Sequence, residues 1–172
     1  MAVQTHKLTN CNVYINGGSM LGQVKELELP TVTQKMTEHQ ALGMLSAFEL
    51  PSGIDKMEMK IGWNSYYEVS LGIMANPTQV VNLQVRGSLE TWDSSGRSAQ
   101  RPAVCFLSGT FKELPLGTFA QHENGTIDSM LNVTAVRLEI AGSEILALDV
   151  FANIYRVNGV DIAATYRENI GQ

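Results

Sequence analysis

Catalysis requires titratable or nucleophilic side chains at spacings that a fold can bring to one point. Few residues here meet that condition. The histidines, His6, His39 and His122, fall in an N-terminal arm, a strand end and a loop, with no HxH, HExxH or Cys/His spacing around them, so no zinc-type donor set is expected. No serine stands in a GxSxG elbow. Gly17-Gly18-Ser19-Met20-Leu21-Gly22 has the glycine content of a phosphate loop but not the Lys-Ser/Thr that would hold phosphate and magnesium, and reads as a hairpin turn. Acids spaced as Glu26 and Glu28, or Glu58 beside Lys60, lie on one solvated face of a strand, whereas acid–base work needs a cleft. The expectation is therefore no catalytic residue, no metal and no cofactor. Trp63 and Trp92 are isolated, with no aromatic ladder or basic groove for a single strand, and read as core or interface anchors.

The elements that would position any site are set by composition and pattern. The chain has 172 residues, 44% of them AVILMFWYC and only 17% charged, against roughly 25% charged in an average domain. The net charge of −5 is the wrong sign for a general nucleic-acid binder. No stretch approaches the roughly 18 apolar residues of a spanning helix, so no membrane anchoring is expected. The run from Met1 to Asn12 lacks the basic cluster and apolar stretch of a secretory signal, which predicts folding in a cytoplasm. On that ground the glycosylation triplets Asn124-Gly125-Thr126 and Asn132-Val133-Thr134 read as accidental, and Cys11 and Cys105 as free structural thiols. With no repeat, low-complexity tract or linker, residues 1–172 form one unit.

Period-two alternation dominates. Lys56-Met57-Glu58-Met59-Lys60-Ile61 places three apolar side chains on one face and three charges on the other. Val81, Leu83, Val85 and Leu89 alternate with Asn82, Gln84, Arg86, Ser88 and Glu90 in a long strand, which reverses at Asp93 to Ser98 and returns from Val104 to about Phe111. Two more hairpins turn at Asn16-Gly17-Gly18 and at Ala141-Gly142-Ser143, the second leading into a strand from Ile145 to Ile154. Strands are also expected at Val24 to Leu29 and Val32 to Glu38, with Pro30 bending the chain without breaking the sheet. A helix from Ser65 to Ala75 would start on a Ser65/Glu68 capping box and bury Tyr67, Leu71 and Met74. A shorter one, Ile162 to Ile170, has Asp161 as N-cap, Ile162, Tyr166 and Ile170 at i, i+4, i+8, and Gly171 beyond. The fold class is mainly β: a β-sandwich or partly closed barrel of about seven or eight strands with one or two short helices. Residues Gln40 to Ser52 fit neither period yet carry Leu42, Met44, Leu45, Phe48 and Leu50; such a loop either folds back over its own core or docks on another molecule.

Three stretches carry a family likeness: Leu8 to Gly17 followed by Val24 to Pro30; Arg137 to Ile145; and the closing Val157-Asn158-Gly159-Val160-Asp161 with Tyr166-Arg167-Glu168-Asn169-Ile170-Gly171. In order and spacing they resemble the major tail tube protein of contractile-tailed bacteriophages, also used in R-type bacteriocins. The resemblance implies a sandwich-like subunit with an N-terminal arm at 1–9, six copies closing into a ring and rings stacking into a hollow tube inside a contractile sheath. It implies as partners identical copies, the tail sheath protein, a tape-measure protein and baseplate or terminator components, in a virion tail assembled in the host cytoplasm. It also makes the segment at about 40–52 an inter-ring loop, with Leu42, Met44, Leu45 and Phe48 burying against the next ring. If one face of the long hairpin lines the lumen, Asn82, Gln84, Arg86, Ser88 and Glu90 form a wet, weakly charged wall past which DNA moves without specific binding. Open strands that would be a hazard in a monomer suit a sheet continued across subunits. The alternatives are a bacteriocin or injection-system tube, or a non-polymerising β-sandwich binding module.

Overall fold

The structure, a computed structural model, describes residues 3–123 and 125–172. Met1 and Ala2, which open the expected arm, and Asn124 of the first glycosylation triplet lie outside the described residues.

Strand β1 (Thr5–Ile15) reverses into the two-residue β2 (Gly18–Ser19). Asn16 and Gly17 hold φ of 49° and 84°, the left-handed pair that a tight hairpin turn demands and that Asn-Gly supplies at least strain. Then come β3 (Val24–Glu28), β4 (Gln34–His39), β5 (Phe48–Ile54), β6 (Met57–Trp63) and helix α1 (Glu68–Met74). The long hairpin β7 (Val80–Asp93) and β8 (Gly96–Phe111) is followed by β9 (Ile127–Ile140), β10 (Ser143–Asp149), β11 (Ile154–Val157), β12 (Val160–Asp161) and α2 (Ala164–Asn169).

Every pairing is antiparallel. The main sheet runs β12-β11-β10-β9-β8-β7-β1-β2, with β6 and β3 branching from β9. The branch exists because β9 is shared along one edge: Ile127 to Val133 pair with β6, and Ala135 to Ile140 with β10. Between these halves the β8–β9 register slips by one residue, and the buried positions of β9 change phase from Leu131 and Val133 to Val136. One extra residue exchanges the two faces of a strand, so the slip lets the β6–β3 branch and the main sheet enclose a common core. Gly109 is required there, since a Cβ would overlap the Asn132 carbonyl oxygen.

The core is a continuous cluster drawn from alternate positions: Met57, Met59 and Ile61 of β6, Val81, Leu83 and Val85 of β7, Leu107 and Phe111 of β8, and Val13 and Ile15 of β1. Trp63 lies at its centre, and its indole donates to Ser129 Oγ at 2.9 Å, so the buried N–H has a partner. Helix α1 adds Met74, with Tyr67 and Leu71 on the same face. The architecture is mainly β and sandwich-like, and its sheets do not close into a barrel.

Several local expectations are corrected. Twelve strands form among the described residues, not seven or eight. The expected Ile145 to Ile154 strand breaks after Asp149, whose Oδ1 accepts from the backbone N–H of both Phe151 and Ala152 at 3.0 Å and so stabilises a turn instead. Residues 5–9, assigned to an arm, belong to β1, where Thr5 to Leu8 pair with Trp92 to Leu89. The capping box does not form: Tyr67 is the N-cap, extended at φ −122° and ψ 120°, two residues after Ser65. Asp161 precedes α2 but accepts from Ala163 N at 3.0 Å rather than capping from the N-cap position, which is Ala163. At Pro30 the chain leaves the main sheet, and β4 pairs in a second sheet with β5 alone.

Candidate assembly interface

Strands β4 and β5 form a two-stranded sheet, in register from Gln34 opposite Ile54 to His39 opposite Phe48. Every residue of β4 is exposed, as is all of β5 except Ile54. At the tip, Met44 N donates to Ala41 O at 3.2 Å, and Gly43, at φ 87°, supplies the left-handed residue of the turn. Leu42 and Leu45 are fully exposed; Met44 and Phe48 remain 38% and 44% exposed, Phe48 resting edge-on against His39. The segment Gln40 to Ser52 is therefore not loop throughout, since Phe48 onward is strand. Nor does it fold back over the core, one of the two fates its composition left open.

On β7 the expected alternation holds over its first half. Val81, Leu83 and Val85 are buried, Asn82 and Arg86 exposed, and Gln84 half-buried. Asn82 Oδ1 accepts from Ser108 Oγ at 2.7 Å, and Ser88 Oγ, also half-buried, accepts from Gln100 Nε2 at 2.7 Å. Turned so that its oxygen faces the guanidinium, the Gln84 amide accepts from Arg86 Nε at 3.0 Å. The register continues this face onto Asn12 of β1 and Phe106 of β8. Arg137 of β9 lies over the Phe106 ring, 4.4 Å from its centroid, and pairs with Glu139. The surface is thus one of amides and hydroxyls, on which Arg137 is paired with Glu139 and Arg86 meets the neutral Gln84 amide.

Glu90 departs from the expected wall. It is 5% exposed, accepting from Arg97 at 2.8 Å and from the Trp92 indole at 3.0 Å. The Arg97 guanidinium, opposed by desolvation and aided by the indole, holds its carboxyl below the ordinary value. Glu90 keeps the parity of Asn82 and Arg86, but Arg97 of β8 and the Trp92 indole cover its carboxylate, and with Thr91 also buried the strict alternation ends here.

Two further apolar surfaces emerge, the first at the i, i+4, i+8 positions expected of the C-terminal helix. Ile162, Tyr166 and Ile170, spaced as an α2 face, point outward near Val160, each at least half exposed. In the connection from β8 to β9, Leu116 and Phe119 are exposed although Phe119 stacks on Tyr66 at 5.1 Å and Tyr66 Oη donates to Leu116 O at 2.7 Å. For Leu116 and Phe119 the sequence signal is apolar residues outside any strand or helix period. Arg156 clasps Glu144 through two bonds of 2.9 and 2.8 Å, and Arg167 holds Asp161 at 2.6 Å, each guanidinium keeping its carboxylate below the usual range. Cys105 is buried, which pushes its thiol up to about 11, whereas Cys11 is exposed, contrary to the burial expected of a structural thiol; both are free. Among the described residues no three His, Cys, Asp or Glu side chains gather as metal ligands.

A sandwich with open sheet edges and an apolar hairpin standing off its body belongs to the class of structural subunits that offer surface to other chains. Residues 5–171 match the family of phage tail tube protein FII. The chain is also 30% identical, over 176 aligned positions covering 96% of each chain, to the tail tube protein of Escherichia phage P2. It belongs to the phage tail tube protein family, and its role is that of a structural component of a tail tube.

Proposed function

We propose that the chain closes with five copies into a hexameric ring, and that rings stack into the hollow inner tube of a contractile tail through which the genome is ejected. The observation that carries this reading is the β4–β5 hairpin. Two strands alone are marginal in water, and this pair exposes Leu42, Met44, Leu45 and Phe48 with no third layer of its own. Contact with the next ring covers them. Lateral closure uses unpaired edges: the outer edge of β1 before Tyr14 has no strand partner among the described residues, and β12 ends the sheet on the other side. Such edges join head to tail into rings.

In this arrangement Asn82, Gln84, Arg86 and Ser88 line the lumen, while buried Glu90 braces the hairpin behind them. Each neutralised phosphate adds affinity through counterion release, so a wall of amides with few free cations lets DNA pass without holding it. Sheath, tape-measure and baseplate or terminator proteins complete the tail, which is assembled in the host cytoplasm. Negative-stain microscopy of the purified chain tests the proposal. Rings or straight hollow tubes are the expected result; compact particles that stay monomeric at high concentration would favour a free binding module and overturn it.

A further inference from the structure

The body carries a recess whose side chains are almost wholly apolar. Leu8 and Cys11 of β1, Leu27 of β3, Leu29 just beyond it, Cys105 of β8 and Leu138 of β9 line a hollow of about 150 Å³, and the only side-chain heteroatoms among its lining residues are the two thiols. A dry apolar cavity of about that size accepts a group as large as benzene, so one branched aliphatic side chain fits. We propose that this recess is the acceptor for the hairpin tip of a second copy of the chain, which inserts Leu42 or Leu45 into it. The inference rests on the tube reading above and names the surface that reading leaves open.

Three observations select the occupant. Residues 40–48 contain no Asp, Glu, Lys or Arg, so the tip enters an apolar recess without desolvating a charge. Leu42 and Leu45 are fully exposed on an element that projects, whereas Phe119 is stacked on Tyr66 and Phe151 sits in a turn tied down by Asp149. The tip cannot be the chain's own: Leu29 lies near the hairpin base, and the six residues of β4 carry the tip about 20 Å beyond that base at roughly 3.3 Å per residue.

Cys11 supplies the test, since it is exposed and lines the recess while Cys105 is buried. Tubes of the unsubstituted chain are treated with a maleimide and compared with dispersed subunits; Cys11 modification should slow about tenfold on assembly, because thiol reactivity follows access. Tubes of Leu42→Cys and Leu45→Cys are then treated with a short bis-maleimide, whose two rings each add one thiol, with Cys11→Ser as control. The expected result is a ladder of linked chains from at least one tip variant, mapping to Cys11 and lost in the control. Tubes in which Cys11 is protected but links to neither tip position show another segment in the recess and overturn the proposal. Tubes in which Cys11 reacts as fast as in subunits overturn it too, as does a link confined within single chains. If the unsubstituted chain forms no ring or tube at all, the tube reading itself fails, an outcome distinct from the others.

Discussion

The body and the β4–β5 hairpin are built from the same alternating strands and behave as opposites. In β6, Met57, Met59, Ile61 and Trp63 are buried to 1% exposure or less. In β4, Met36 and its neighbours remain exposed although the strand has a regular antiparallel partner. Both strands are backbone-paired, β6 along both edges and β4 along one, and β4 also lacks a second layer. Backbone pairing therefore decides that a strand forms, and an opposing layer decides whether its apolar face contributes to the stability of one chain or is left for another.

The sharpest way to break this contrast is to cut into each region and ask what fails. Trp63→Ala removes the largest buried side chain and leaves Ser129 without its donor, so the dispersed subunit should lose about 3–5 kcal/mol, read as a shift in its urea midpoint. An unchanged midpoint would show that the core is not where the chain's stability resides.

A smaller effect, still within the body, comes from protons. The Glu90 carboxyl lies below its ordinary value because of Arg97, so its contribution to stability is complete above the unfolded value near about 4.3 and is lost as the pH falls through the lower folded value. Urea midpoints should drop between about pH 5 and pH 3, and Glu90→Gln should make that decline shallower. If the substituted chain shows the same slope, Arg97 does not hold Glu90 in solution.

The smallest effect on folding belongs to the hairpin. Met44→Asp with Phe48→Asp should change subunit stability by no more than about 0.5 kcal/mol, since neither side chain touches the core. The same pair should shorten tubes and lower their heat resistance. Tubes of unaltered length and heat resistance would remove the hairpin from the assembly.

Much of the body was legible because its cues are local. Alternation marked β6, β7 and β8, Asn16-Gly17 and Ala141-Gly142 marked the turns of β1–β2 and β9–β10, and Gly171, at φ 79°, ended α2 as expected. The errors share a different origin. The strand through Asp149 ends there because its carboxylate captures two turn amides, and Ser65 matched a capping box although the N-cap is the extended Tyr67. Glu90 keeps the polar parity of β7, but Arg97 from β8 and the Trp92 indole cover its carboxylate, contacts that parity does not specify. Of the exposed apolar surfaces, the hairpin was visible as apolar residues out of period, whereas for Ile162, Tyr166 and Ile170 the spacing was visible but not the exposure, because i, i+4, i+8 marks a buried face and an exposed one equally.

From the order of residues alone came the sheet-rich class, the turns and the family likeness, because side-chain parity and left-handed turn residues act over a few positions. Tertiary structure alone decided which apolar faces are covered, where the register slips and which charges are neutralised. Those outcomes depend on contacts between strands far apart in the chain, and no local pattern specifies which partner a face will meet.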